Sequence, residues 1–127
     1  MEPGLFFGFL SLEELVKYLA VADLFVFHTL KDRFGAVVPE AMAAGTPVVS
    51  SIHAGATDDL IVEGKTCFRI DPKGFDRSTR QILHALEMPE NHRRQLVKNA
   101  WERVGRHIFA ASAKEIVDFA RFLEVDR

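Results

Sequence analysis

The sequence has few of the residues that build crosslinked, metal-bound or membrane-spanning proteins. A single cysteine, Cys67, stands among 127 residues, which excludes an internal disulfide and any metal site made of several cysteines. No apolar run approaches the ~20 residues that a membrane-spanning helix needs. The first residues, Met1-Glu2-Pro3, lack the basic start of a secretory signal. These absences predict a cytoplasmic protein without a transmembrane segment.

The chain also lacks an excess of charge of either sign. Sixteen Lys and Arg against 18 Asp and Glu give a net charge of −2, so we expect no nucleic-acid partner. The balance conceals an uneven distribution. Residues 1–62 carry 8 acidic and 3 basic side chains, whereas residues 63–127 carry 10 acidic and 13 basic ones.

The remaining composition is that of a globular domain, with 48% hydrophobic and 27% charged residues. Four short apolar runs predict strands, at residues 5–9, 24–27, 47–49 and 67–70. Helical patterns separate these runs, so we expect an α/β fold with a Rossmann-like parallel sheet of about four strands. In such folds the ligand lies at the carboxyl ends of the strands.

Several helices have recognisable starts and apolar faces. Ser11 with Glu14 has the pattern of a capping box, and a second such pattern starts at Ser112. Residues 76–87 form one predicted helix, and Pro89 starts another. The predicted inward-facing residues of these two helices are Ile82, Leu83, Leu86, Leu96, Val97, Ala100, Trp101 and Val104.

One segment, residues 32–49, has features of an anion-binding loop. It follows the predicted strand 24–27, and Gly35 allows close approach of a ligand to the backbone. The amides near Gly35 precede a short helix, where free N–H groups favour a phosphate. Asp32 and Glu40 are placed to accept hydrogen bonds from sugar hydroxyls. The segment therefore suggests a nucleotide or nucleotide-sugar, although an ordinary helix start has the same spacing.

A resemblance to a known family extends this interpretation. Several segments resemble, in the same order, motifs of retaining glycosyltransferases. They are Phe7-Gly8 and residues 18–26, 32–49, 54–61, 63–66 and 70–72. The family has two Rossmann domains (the B-type or GT-B fold), and the similarity is to its group 1, or family-four, branch. It covers roughly residues 5–90. It implies that residues 1–127 form a single partial domain, with a donor-binding core at 5–75 and C-terminal helices at 76–127.

The resemblance assigns roles to the two acids as a catalytic pair. Asp32 corresponds to the acid that contacts hydroxyls of the donor sugar, and it is one methylene shorter than the glutamate usual in the family. Glu40 corresponds to the acid that holds the ribose of the nucleotide. The reaction moves a sugar from a nucleoside diphosphate to an acceptor and retains the anomeric configuration. No cofactor or metal is implied.

The resemblance also assigns a donor-binding role to backbone groups. Amides facing the sugar would be those of Phe34, Gly35 and Ala36. Amides facing the diphosphate would be those of Val37 and Val38, and Phe7 and Gly8 would lie near the base.

Two parts of the family enzyme have no counterpart in the sequence. One is the N-terminal acceptor-binding domain, and the other is a loop carrying an Arg and a Lys that neutralise the diphosphate. We therefore expect the chain to be a fragment, a truncated product or one part of a split protein, inactive alone. Its partners would be a nucleotide-sugar, and the missing acceptor domain or a second copy of itself. Two alternatives are a non-catalytic remnant that binds a nucleotide weakly or serves as an interaction module, and a nucleotide-sugar epimerase.

The absent parts would include the two strands that lie between the 5–9 strand and the 24–27 strand in the family. Bare apolar strand edges tend to pair with another chain. We therefore expect either direct pairing of these two strands or coverage of the edge by a second copy.

Overall fold

A computed structural model describes residues 3–55 and 58–106 of the chain. Its centre is a sheet of three parallel strands, β1 (Phe25–Phe27), β2 (Val48–Ser51) and β3 (Phe68–Ile70), in the order β1-β2-β3. Phe25 pairs with Val48 and Val49 pairs with Phe68. The predicted α/β class with a parallel sheet is confirmed, and three of the four predicted strands are present.

In the described part of the chain, four helices accompany the sheet: α1 (Leu12–Val21), α2 (Val37–Ala43), α3 (Phe75–Leu86) and α4 (Glu90–Val104). The capping box at the start of α1 is formed, because the Glu14 amide donates to Ser11 Oγ at 3.3 Å and the Ser11 amide donates to Glu14 Oε2 at 2.9 Å. The second predicted capping box, at Ser112, lies outside the described residues.

The core has two parts. The first contains Leu19 of α1, buried residues of α2, Val48 and Cys67, and the end of α4. The second contains Val49, Phe68 and Ile70 with Ala85 of α3 and Leu96 of α4. Val48 and Val49 are consecutive and belong to different clusters, as expected where side chains alternate between the faces of a strand. The sheet is therefore packed on both faces, which is typical of parallel sheets.

The strand predicted at residues 5–9 is not formed. Residues 3–10 are irregular, and the side chains of Phe6 and Phe9 are fully exposed. Phe7 contacts the ring of Tyr18 on α1, with ring centroids 4.2 Å apart. An apolar run becomes a strand only where a neighbour pairs with it, and β1 does not pair with this segment. Direct pairing of residues 5–9 with β1 was therefore a wrong prediction.

The predicted inward faces of α3 and α4 are correct in part. Leu96, Ala100 and Val104 are buried on α4 as predicted, but Trp101 is 61% exposed. On α3 the buried residue is Ala85, whereas Leu83 and Leu86 are about half exposed. The face of α3 that contacts the core is therefore centred on Ala85, because its small side chain permits close approach to Phe68 and Leu96 in the second cluster.

Candidate functional site

The predicted site lies where β1 and β2 end. Residues 28–36 lead from β1 to α2, and residues 52–55 follow β2. The two loops meet at Asp32. Its amide donates to the carbonyl of His53 at 3.2 Å, and its carbonyl accepts from the amide of Gly55 at 3.0 Å. Both loops are therefore held together at the carboxyl edge of the sheet, where ligands bind in folds of this class.

The side chain of Asp32 is bonded to its own loop. Its Oδ1 accepts hydrogen bonds from the amides of Gly35 at 2.8 Å and Phe34 at 2.9 Å. These bonds, that of Gly35 first, lower the pKa of Asp32 below its ordinary value because they stabilise the carboxylate. Asp32 is therefore ionised at neutral pH and is unsuited to donating a proton. Its Oδ2 is not used by these two bonds.

Gly35 has the conformation that the loop requires. Its φ of 60° lies in the left-handed region, where a side chain would strain the backbone. The chain turns here from the Asp32 bonds into α2, and the Val38 amide donates to the Gly35 carbonyl at 2.9 Å. The glycine is thus explained by backbone geometry.

The five backbone amides that the resemblance assigns to the donor differ in their partners. Those of Phe34 and Gly35 bond to Asp32, and that of Val38 bonds to Gly35. Within residues 3–55 and 58–106, no acceptor is paired with the amides of Ala36 and Val37. These two amides are consequently the ones with capacity for an external acceptor.

Glu40 contrasts with Asp32. It lies on α2, half-buried, and in the part of the chain that the structure describes its carboxylate makes no hydrogen bond. The structure therefore brings the two predicted acids to the same loop and helix, one with an oxygen already bonded and the other with its hydrogen-bonding capacity unused.

Phe7 and Gly8 stand on a different element from the loop of Asp32. They precede α1, where Phe7 packs on Tyr18 and Gly8 has a φ of 66°. Their assigned position near a base stays a prediction.

Two residues of the second loop, His53 and Gly55, shape the site through backbone contacts that the sequence did not predict. His53 supplies the carbonyl that binds the Asp32 amide. Gly55 lies so close to the first loop that a Cβ atom built on it would stand 2.7 Å from the carbonyl oxygen of Arg33. The available signal was the glycine in Ala54-Gly55, since a glycine within a ligand-binding loop commonly marks close backbone approach.

A separate cavity of about 380 Å³ lies against β3 and α3. Its polar lining is largely satisfied within the protein, because Arg69 pairs with Asp58 at 3.2 Å and Glu63 accepts from Gln81 at 2.7 Å. Among the residues described, no group of three or more His, Cys, Asp or Glu side chains could hold a metal ion. Over the same ranges, no helix is both long and apolar enough to cross a membrane.

Comparison with known proteins identifies relatives of the whole described region. Residues 4–103 match the family model of glycosyl transferases group 1. The sulfoquinovosyl transferase of Arabidopsis thaliana is 37% identical over 94 residues, which cover 69% of this chain and 18% of that protein. An α-(1→4)-mannosyltransferase of Mycolicibacterium hassiacum is 32% identical over 120 residues, which cover 87% of this chain and 29% of that protein.

Solved structures agree with these sequence matches. A sucrose-phosphate synthase from Thermosynechococcus elongatus superimposes with a TM-score of 0.77 at 29% identity, covering 91% of this chain and 29% of that one. The HepE protein of Anabaena, solved in complex with UDP-glucose, has a TM-score of 0.73 at 22% identity over 85% of this chain and 30% of that one, and this likeness shows the fold. The chain thus spans less than a third of each of these four proteins. It belongs to the group 1 glycosyltransferase family.

Proposed function

We propose that the chain is the donor-binding portion of a retaining glycosyltransferase, which holds a nucleoside-diphosphate sugar at the loops that follow β1 and β2. One observation carries the proposal. In a member of the group 1 family, the Glu40 carboxylate and the amides of Ala36 and Val37 occur together beyond the carboxyl end of β1, and none of them has a hydrogen-bond partner among the described residues. A ribose offers hydroxyl donors to the first, and a diphosphate offers acceptors to the second.

The roles follow the chemistry of each group. Glu40 accepts hydrogen bonds from the ribose hydroxyls. Asp32 offers its Oδ2 to a hydroxyl of the sugar, while its Oδ1 stays on the loop. The amides of Ala36 and Val37 stabilise charge on the departing diphosphate, which is a large part of the catalysis that such an enzyme performs. The amide of Val38 is bonded to Gly35 and contributes less directly.

A protein of the same fold supports a nucleoside-diphosphate sugar as the donor, since the HepE protein was solved with UDP-glucose. UDP-glucose is therefore the first ligand to test with this chain. The alternative of an epimerase has no specific observation in its favour.

The proposal includes inactivity of the 127-residue chain alone. The chain spans less than a third of its relatives, and its first 62 residues carry only 3 basic side chains. The departing diphosphate would therefore be poorly neutralised without an additional part, either an acceptor-binding domain or a second copy. We further propose a cytoplasmic location and no requirement for a metal. Transfer of radiolabelled sugar by the pure chain would contradict this part of the proposal.

Calorimetry with UDP, GDP and ADP tests the binding site. We expect sub-millimolar affinity for one of them, and at least a tenfold loss in Glu40→Ala, because each charge-assisted hydrogen bond is worth about 1.5–3 kcal/mol. Glu13→Ala is the control, since Glu13 is an exposed glutamate of α1 that pairs with Lys17. Clear binding by the wild-type chain with equal affinity in Glu40→Ala would contradict the assignment. Absence of binding to any nucleotide would favour the non-catalytic alternative.

A further inference from the structure

The geometry points to Asp32 as a positioning residue, in addition to any contact with the sugar. Its carboxylate sets the course of the first loop of the donor site, at the point where its backbone joins that loop to the second. The inference rests on the proposed function in that it takes these loops to be the donor site. The inferred role is separate from contact with the sugar, and the bonds that carry it are present without a ligand.

The backbone of Asp32 supplies the connection between the loops. Its amide bonds to the His53 carbonyl and its carbonyl bonds to the Gly55 amide, which gives a single parallel bridge between Asp32 and Ala54. A second link lies beside it, where Ser51 Oγ donates to the Thr29 carbonyl at 2.6 Å. Asp32 is therefore bonded to the second loop through both of its backbone polar groups.

The carboxylate of Asp32 fixes the course of the first loop beyond this bridge. Its Oδ1 accepts from the amides of Phe34 and Gly35 at 2.9 and 2.8 Å. Gly35 is held there at a φ of 60°, immediately before the amides of Ala36 and Val37, for which residues 3–55 and 58–106 supply no acceptor. The direction of those two amides therefore depends on a turn that the Asp32 side chain closes.

Gly55 shows how closely the loops are apposed. A Cβ atom at this position would meet the Arg33 carbonyl oxygen at 2.7 Å and would lie 3.8 Å from that of Asp32. Backbone cannot yield as easily as the end of a flexible side chain, so a methyl group at Gly55 must push the loops apart. Substitution of Asp32 acts on the turn before the Ala36 and Val37 amides, and substitution of Gly55 acts on the spacing between the loops, so both should displace these amides.

This role predicts a particular pattern of ligand affinities. An acid that only contacts the sugar affects UDP-glucose and leaves UDP unchanged. A positioning acid affects both, because the nucleotide diphosphate uses amides whose direction the loop sets, and a small displacement of positioned groups is costly. Asparagine at this position keeps an oxygen that can accept the same two amide bonds, so Asp32→Asn should restore what Asp32→Ala loses.

The first test needs no ligand. Amide hydrogen exchange is measured by NMR on the wild-type chain, Asp32→Ala, Asp32→Asn and the control Asp23→Ala, which alters an exposed aspartate ahead of β1. We expect Asp32→Ala to speed exchange at Phe34 and Gly35 about tenfold, with near wild-type rates in Asp32→Asn and Asp23→Ala. Unchanged rates at both amides in a folded Asp32→Ala chain would overturn the inference.

The second test uses UDP and UDP-glucose in calorimetry. Asp32→Ala and Gly55→Ala should each weaken both ligands, by about tenfold or more, and the double variant should lose less than the product of the two single losses. A loss confined to UDP-glucose in Asp32→Ala would overturn the inference while leaving the proposed function intact. If the wild-type chain binds neither ligand, the proposed function fails, and the exchange measurement alone decides whether Asp32 positions the loops.

Discussion

The two edges of the sheet are protected to very different degrees. At the β3 edge, the outward-facing amide of Arg69 donates to Glu63 Oε2 at 2.9 Å, and Glu63 Oε1 accepts from Gln81 of α3 at 2.7 Å. At the β1 edge, Phe25 bonds inward to Pro47. Its neighbour Val26 therefore presents its amide and carbonyl to the open side, since alternate residues of a parallel strand bond to opposite neighbours.

Burial follows the same gradient across the sheet. All four residues of β2 are buried, two of the three in β3 are buried, and all three in β1 are only half-buried. The exposed apolar side chains include several on the segment before α1 and on α1 itself, among them Leu5, Phe6, Phe9 and Leu12. Within the described residues, the sheet is thus more fully covered around β3 than around β1. Exposed apolar side chains also occur on the helices α3 and α4, at Phe75, Leu83, Leu86 and Trp101.

The difference indicates which edge of the sheet is available to a further strand, since within the described residues β1 pairs only with β2. An unpaired, apolar strand edge is a template for another strand, and the resemblance implies two strands beside β1 in the family. The site loops follow β1 and β2, so the proposed donor site lies toward the less covered half.

The largest expected difference in stability comes from replacing a leucine by alanine in each half of the domain. Leu96→Ala should cost about 2–5 kcal/mol of unfolding free energy, because Leu96 is buried against Phe68 and Ala85 and a cavity would remain. Leu12→Ala, on the exposed part of α1, should cost less than about 1 kcal/mol. Urea denaturation measures both. Equal losses would contradict the asymmetry between the halves.

A smaller effect is expected at the protected edge. Glu63→Ala removes the acceptor of the Arg69 amide and of Gln81, and should cost about 1 kcal/mol because these groups are exposed enough for water to replace the carboxylate. The matched control is Glu87→Ala, an exposed glutamate at the end of α3. Thermal melting compares the two variants. If Glu63→Ala is no less stable than its control, Glu63 does not protect this edge.

The smallest effect on stability is expected at the open edge. A double substitution, Phe6→Ser with Phe9→Ser, should change the unfolding free energy by less than about 0.5 kcal/mol, since both rings are exposed. The same variant should lower the concentration-dependent self-association that the apolar segment favours, which light scattering measures. A large loss of stability in a monomeric variant would show that these rings belong to the core.

The sequence predicted the elements that depend on local signals. The capping box at Ser11, the strands around residues 24–27, 47–49 and 67–70, and the loop at the carboxyl end of β1 all occur. Residues 5–9 were predicted as a strand because their composition is apolar, yet a strand also needs a partner that composition does not reveal. The family was recognised from the order of its motifs. That order can be read from the sequence even where other parts of the family fold have no counterpart.

Other features needed the three-dimensional arrangement. Cys67 is buried, and this burial raises the pKa of its thiol to about 12. The exposure of Trp101 was not predicted, because helical spacing identifies an apolar face of the helix but does not show how much of that face packs against the rest of the protein. The use of Asp32 within its own loop was also missed, since spacing alone does not reveal which of several acceptors binds an amide.

An NMR titration of the ¹⁵N-labelled chain with UDP-glucose tests the central claim, a donor site at the loops after β1 and β2, most directly. The account predicts saturable shifts concentrated in the amides of residues 34–37 and 53–55, with little change along α3. A titration without shifts at millimolar ligand would contradict the claim. Shifts confined to the cavity between β3 and α3, around Arg69 and Arg77, would contradict it equally.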